Sequence, residues 1–212
     1  MTESKAFKAM VVEETEDGEF PRSIAERSIR DLPDGEVLVK VRYSSLNYKD
    51  LLSATGNKGV TRKYPHTPGI DAAGVVEESS GGEFKAGDEV IVTSYDLGMN
   101  TDGGFGQYIR VPAGWVVPLP DGLSLRESMV YGTAGFTAGL SILRLTAHGI
   151  GPENGDILVS GATGGVGSLS VSILSRLGFR VTAVSGRSDT TSFLQSLGAA
   201  DVIGTEEASD DG

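Results

Sequence analysis

Cysteine is absent from all 212 residues. That excludes disulfides and thiolate metal sites, and it fits a reducing compartment. Histidine is scarce, with only His66 and His148 present, too few for a histidine-based metal cluster. His66, set between Pro65 and Thr67-Pro68, reads as an ordinary loop histidine. No apolar run approaches the ~20 residues that a membrane helix needs, and no N-terminal segment resembles a signal peptide. The expectation is a soluble, cytoplasmic chain with no membrane partner. Positive charge is also in deficit: 18 Lys and Arg against 29 Asp and Glu give a net charge of −11, which argues against a nucleic-acid partner. No internal repeat or low-complexity tract interrupts the chain, whose length suits one large or two small domains.

What the sequence does contain is concentrated at Gly161 to Gly167, which reads GATGGVG. The β-branched run Ile157-Leu158-Val159 precedes it, and Val166, Leu169, Ile173, Leu174 and Leu177 follow at helical spacing. A buried strand, a glycine turn and a helix form the setting in which such a motif binds a dinucleotide. The unpaired N–H groups of the helix start face the pyrophosphate, and residues without side chains let it approach. Thr163, Gly164, Gly165 and Val166 supply those groups, and Thr163 adds a hydroxyl. Ala162, Gly164 and Gly167 take the three fingerprint positions, so alanine replaces the first glycine. A tight structural turn is the alternative.

A second unit follows, with Phe179 to Val184 as strand and Thr191 to Leu197 as helix. NAD-preferring sites carry Asp or Glu about 20 residues past the turn, where the carboxylate accepts from the ribose 2′-hydroxyl. Here the segment reads Val184-Ser185-Gly186-Arg187, with no acid before Asp189. A carboxylate repels a 2′-phosphate, whereas a hydroxyl and a guanidinium bind one. Ser185, Gly186 and Arg187 therefore point to NADP(H); a solvated loop is the alternative.

The first half has a shorter rhythm. Val37 to Tyr43, Gly74 to Glu77, Glu89 to Val92 and Gln107 to Val111 read as short strands, punctuated by Pro68-Gly69, Gly81-Gly82, Gly103-Gly104 and Pro118 to Gly122. Such a pattern predicts a compact β-barrel-like domain through about residue 120. A helical stretch over 124–145 leads into the nucleotide domain.

Five segments in order, SSLNYKD (Ser44 to Asp50), PGIDAAG (Pro68 to Gly74), FKAGDEV (Phe84 to Val90), GTAGFTA (Gly132 to Ala138) and GATGGVG, resemble the zinc-independent branch of the medium-chain dehydrogenase/reductase superfamily. Within it the chain is similar to the acrylyl-CoA reductase group, whose members are also described as quinone oxidoreductases. The resemblance implies an α/β protein: a GroES-like β-barrel catalytic domain over 1–123 and an NADP-binding Rossmann domain, a doubly wound parallel sheet, over 124–212. The active site would lie in the cleft between them. Zinc-dependent relatives carry a cysteine and Gly-His-Glu at the metal; Gly69-Ile70-Asp71 stands here, so no metal ligand is expected.

The implied chemistry is hydride transfer from NADPH to the β-carbon of an α,β-unsaturated thioester. The enolate that results needs donors at oxygen and a proton at the α-carbon. The resemblance places Tyr48 beside nicotinamide and substrate, with Asn47 next to it. Phenols ordinarily titrate near pH ~10, so a tyrosine is protonated at neutral pH and could donate; whether Tyr48 is the acid, or binds and orients the cofactor while water protonates the enolate, stays open. By itself Tyr48 also fits a packing role, and Lys49 and Asp50 fit a surface or helix-start pair. Thr133 and Thr137, four residues apart, would share a helix face beneath the nicotinamide; close helix packing by small residues is the alternative. An NADPH-dependent quinone or enone reductase and a non-catalytic NADPH-binding chain are the other readings.

A complete dinucleotide fold has roughly six strands in two halves. After Asp201-Val202-Ile203 only Gly204 to Gly212 remain. The expectation is a Rossmann domain truncated after its first half, with sheet surface left uncovered. A homodimer is implied for the full-length form.

Overall fold

The computed structural model describes residues 5–209. It divides into two compact units, one running to Thr133 and the other from Ala134.

In the first unit, β1 (Ala6–Val12) and β2 (Arg22–Ser28) form an antiparallel pair. A five-stranded antiparallel sheet is built from β3 (Val37–Tyr43), β4 (Asp71–Ser79), β5 (Glu89–Thr93), β6 (Tyr108–Val111) and β7 (Val116–Pro118), in the order β6-β3-β4-β5-β7. Alternation puts Val37, Val39, Val76, Val90, Val92, Ile109 and Val111 on one face, where they close over a core with Ala72 and Leu97. The short helix α1 (Tyr48–Ala54) follows β3.

The barrel expected from the strand rhythm is not closed among the described residues. β6 and β7 are the edges of the sheet, and β1 meets the rest through the single bridges Ala9↔Gly106 and Val12↔His66. Irregular backbone stands where further ladder would: Gly103 N donates to Thr67 O at 2.7 Å and Gly104 N to Gly69 O at 2.8 Å.

Helix α2 (Leu125–Ala147) opens on a reciprocal cap. Glu127 N donates to Ser124 Oγ at 3.2 Å, and Ser124 N to Glu127 Oε2 at 3.0 Å. Gly132 breaks α2 with φ 49° and ψ −155°. Before the break, Leu125 and Met129 pack on Ala73 in the first unit, so the division falls inside the helix rather than ahead of it.

In the second unit β8 (Ile157–Val159), α3 (Gly165–Arg176), β9 (Val181–Val184), α4 (Thr191–Ser196) and β10 (Asp201–Ile203) alternate. The strands are parallel in the order β10-β9-β8, which is the 3-2-1 half of a doubly wound sheet. Val171, Leu174, Val181, Ala183 and Leu194 are buried between sheet and helices.

His66 lies in a loop, outside the named strands, as its proline neighbours suggest, but that loop is packed. His66 itself is 3% exposed. Its backbone exchanges hydrogen bonds with Val12 at 2.8 and 2.9 Å, and Nε2 lies 2.9 Å from Gly98 O. Nδ1 faces Asp102 Oδ1 at 3.7 Å, while Arg27 Nη2 donates to Asp102 Oδ2 at 3.0 Å. Burial drives the imidazole pKa below its ordinary value, and the Arg27 charge acts in the same direction. The Gly98 carbonyl, Asp102 and Asp96 pull it back up. The unfolded chain therefore takes up the proton first. Stability from this group is complete above about pH 6.5 and is lost as pH falls below that value toward the folded pKa. The urea midpoint, read through Trp115 as the single tryptophan, should drop between pH 7 and pH 5. His66→Gln should show a shallower drop; parallel slopes would contradict this account.

Candidate functional site

The organising group of the first unit is Asp71, at the first position of β4 and fully buried. Its Oδ2 accepts from the Ser45 hydroxyl, from Asn47 Nδ2 at 2.9 Å and from Thr133 N at 2.9 Å. Its Oδ1 accepts from Thr133 Oγ1 at 2.6 Å. Four donors answer the charge, as burial of a carboxylate requires. The break at Gly132 makes this possible: it turns the following amide inward onto Oδ2.

Asn47 is the N-cap of α1, so Tyr48 begins that helix. Asp50, three residues on, accepts from Asn47 N at 2.8 Å through Oδ2 and from Ile70 N at 2.9 Å through Oδ1. Asp50 is thus a helix-start residue, as one reading of Lys49-Asp50 had it, but it is buried rather than on the surface. Burial pushes its carboxyl pKa up; the Ile70 and Asn47 donors oppose the rise, and the Asp71 charge adds to it.

This arrangement sorts the candidates. Asn47 has its amide donor directed at Asp71, with Ser45 Oγ a further acceptor at 3.1 Å, which suits it to holding geometry. Tyr48 is 74% exposed. It lines an apolar pocket of about 330 Å³ with Leu46, Leu51, Ala54 and Phe105. Thr133 is drawn into the Asp71 cluster, whereas Thr137 is exposed on the helix beyond the break. Asp71 was read from sequence only as standing where zinc-dependent relatives carry a metal motif, and Ser45 and Gly132 only as parts of quoted segments; none was given a site role. The signal available was a lone acid opening the small and apolar run Ala72-Ala73-Gly74-Val75-Val76.

In the second unit the turn after β8 is exposed at Thr163, Gly164, Gly165 and Val166. Gly164 is the N-cap of α3, and the amides of Gly165 and Val166 lie in its first turn, where N–H groups lack an intrahelical acceptor. The turn is tight: Gly164 N donates to Gly161 O at 2.9 Å, and a Cβ on Gly167 would stand 2.3 Å from Gly161 O. Only glycine at 167 lets the helix start this close to the strand.

The loop after β9 opens on the same carboxyl edge of the sheet. Ser185, Gly186 and Arg187 line a depression of about 420 Å³ with Thr191 and residues 202–206. Ser185 Oγ accepts from Arg187 N at 3.1 Å. Asp189, two residues past the acid-free stretch, folds back: Arg187 Nε and Nη2 donate to its two oxygens at 3.2 and 3.0 Å. Exposed amides, a tight turn and a depression lined by a hydroxyl and a guanidinium fit a dinucleotide with a phosphorylated ribose.

Residues 33–121 match the model of the alcohol dehydrogenase GroES-like domain. The acrylyl-CoA reductase AcuI of Ruegeria pomeroyi is 48% identical over 202 residues, covering 95% of this chain and 61% of that protein. Among solved structures, the yhdH oxidoreductase of Salmonella enterica in complex with NADP superposes with a TM-score of 0.92 at 45% identity, covering 94% of this chain and 61% of that one. The Bacillus subtilis protein yhfP with NAD bound gives 0.94 at 47%, covering 98% and 63%. The chain spans about three fifths of the length of the curated relatives it matches.

Gly132→Ala tests the Asp71 cluster. A Cβ there would meet Ser45 Oγ at 2.7 Å and Asp71 Oδ2 at 2.8 Å, at a positive φ. The expected cost is at least about 1–3 kcal/mol from backbone strain, measured by urea unfolding, with the Thr133 amide resonance displaced. An unchanged midpoint and resonance would count against the cluster as described.

Proposed function

The chain belongs to the medium-chain dehydrogenase/reductase superfamily, and from that premise we propose that it serves the NADPH-dependent reduction of an α,β-unsaturated thioester of the acrylyl-CoA type, by hydride delivery to the β-carbon and without a metal. The observation that carries this reading is the exposed start of α3 at the carboxyl edge of the parallel sheet, beside a loop that offers Ser185 and Arg187. Bound NADPH supplies the hydride. The backbone amides of Gly164, Gly165 and Val166, with the Thr163 hydroxyl, hold the pyrophosphate; Ser185, Gly186 and Arg187 receive the 2′-phosphate. Thr133 and Thr137 would offer hydroxyls to the nicotinamide amide or ribose.

In the first unit, Tyr48 is the candidate proton donor. Hydride addition at the β-carbon leaves an enolate on the thioester, and the phenol gives its proton toward the α-carbon or orders the water that does. Asn47 fixes the start of the helix that carries Tyr48. Asp71 has its carboxylate committed to four donors and is not available as a metal ligand in this arrangement. The apolar lining beside Tyr48, Leu46, Leu51, Ala54 and Phe105, favours a second reading, in which the acceptor is a quinone or enone.

Titration of the 212-residue chain with NADPH and NADH, followed by nicotinamide fluorescence, should show saturable binding with NADPH the tighter. Equal or tighter binding of NADH would overturn the cofactor assignment. With NADPH bound, consumption of acrylyl-CoA supports the thioester reading, whereas consumption of 1,4-benzoquinone alone supports the second. Binding with turnover of neither supports a non-catalytic binder. Tyr48→Phe should lower kcat by about 100-fold, the lower end for a lost general acid; an unaltered kcat would remove Tyr48 from the proton path.

A further inference from the structure

The loop that follows β9 holds an anion of its own. Ser185 Oγ accepts from Arg187 N and meets Thr190 Oγ1 at 2.9 Å; Thr190 Oγ1 in turn donates to Arg187 O at 2.7 Å. Thr190 is buried. The backbone of Arg187 is therefore anchored from both sides, and only its side chain is at liberty to choose a partner. It chooses Asp189, through Nε and Nη2 at once. That edge of a guanidinium is one that a phosphate takes by the same two-point fork. The two residues are two apart in sequence, so the pair forms at little cost in chain entropy, and both side chains are 69% exposed, which leaves the pair open to exchange. Each partner also stabilises the charge of the other. Glu206, lining the same depression, adds a further acid to the surroundings.

We propose that Asp189 is a specificity-setting residue that competes with the 2′-phosphate for Arg187, so that NADPH binds by exchanging one anion for another. The inference rests on the reading of Arg187 as the 2′-phosphate receptor. Its consequence is a preference for NADPH held below what the Ser185-Arg187 pair could give. NADH, with a ribose hydroxyl in place of the phosphate, leaves the Arg187–Asp189 pair in place and pays nothing for it.

The experiment is a double-mutant cycle on the full chain, reading NADPH and NADH dissociation constants by nicotinamide fluorescence, with circular dichroism to verify folding. Asp189→Asn should tighten NADPH binding by about three- to tenfold, the scale of one exposed ion pair with added relief of repulsion, and should move NADH by less than about twofold. In the Arg187→Ala background the same change should gain no more than about twofold. Added salt should shrink the Asp189→Asn gain, because exposed charges are screened. An NADPH affinity that is unchanged or weakened by Asp189→Asn, while Arg187→Ala still erases the preference, overturns the competition and leaves the phosphate assignment standing. A preference untouched by Arg187→Ala overturns both.

Discussion

A carboxylate taken out of water must be re-solvated by the protein, and two buried aspartates and a half-buried third impose that constraint on the first unit. Asp71 gathers Ser45, Asn47 and Thr133; Asp50 gathers Asn47 N and Ile70 N; Asp102 gathers Arg27 and Thr67 N, with His66 beside it. Leaving a buried acceptor without its donors costs upward of about 1–3 kcal/mol, and more when it is charged. The segments tied down in this way are those with little apolar side chain to bury: the Ser44-to-Asn47 linker, the Thr67-to-Ile70 turn and the broken helix at Gly132. Asp71 and Asp50 both act on Asn47, and through it they fix where the Tyr48 helix begins.

The second unit works by the opposite economy of charge. Its turn at Gly161 to Gly167 presents donors and no acid, and its helix start is left open to solvent. In a chain of net charge −11, an anionic ligand gains nothing from the overall field. Whatever holds it must be local, and on the proposed reading that is amides at a helix start and one guanidinium. Arg187 is the side chain of that loop able to discriminate a phosphate from a hydroxyl, and the chain has already placed a carboxylate on it. On the proposed reading, recognition there is a contest between neighbouring charges.

Much of this was legible in sequence where burial writes a pattern. β3, β5, β8 and β10 fall on the runs at 37–43, 89–92, 157–159 and 201–203, because each alternates or is uniformly apolar. The glycine turn and its helix were legible for the same reason. β1 and β2 were not: Arg22–Ser28 is mostly exposed, and pairing with β1 rather than an apolar face makes it a strand. α1 is seven residues long, too short for helical periodicity to register, and it depends on Asp50 to start. The break at Gly132 was hidden because glycine inside a helical run is tolerated in sequence terms. The burial of His66 and the donor cluster around Asp71 were not legible since their partners lie far off along the chain, Gly98 and Asp102 for one and Thr133 for the other. Asp189 was counted as beyond the loop, and only the turn at Ser185 to Thr190 brings it back.

The central claim is that the carboxyl edge of the β10-β9-β8 sheet is a dinucleotide site. Amide spectra of the ¹⁵N-labelled chain recorded across an NADPH titration test it most directly. The account predicts saturable displacement of Gly164, Gly165 and Val166 together with Ser185, Gly186 and Arg187, and quiet resonances in the core strands β3 and β6. Displacements that spare both loops at saturating NADPH would contradict it.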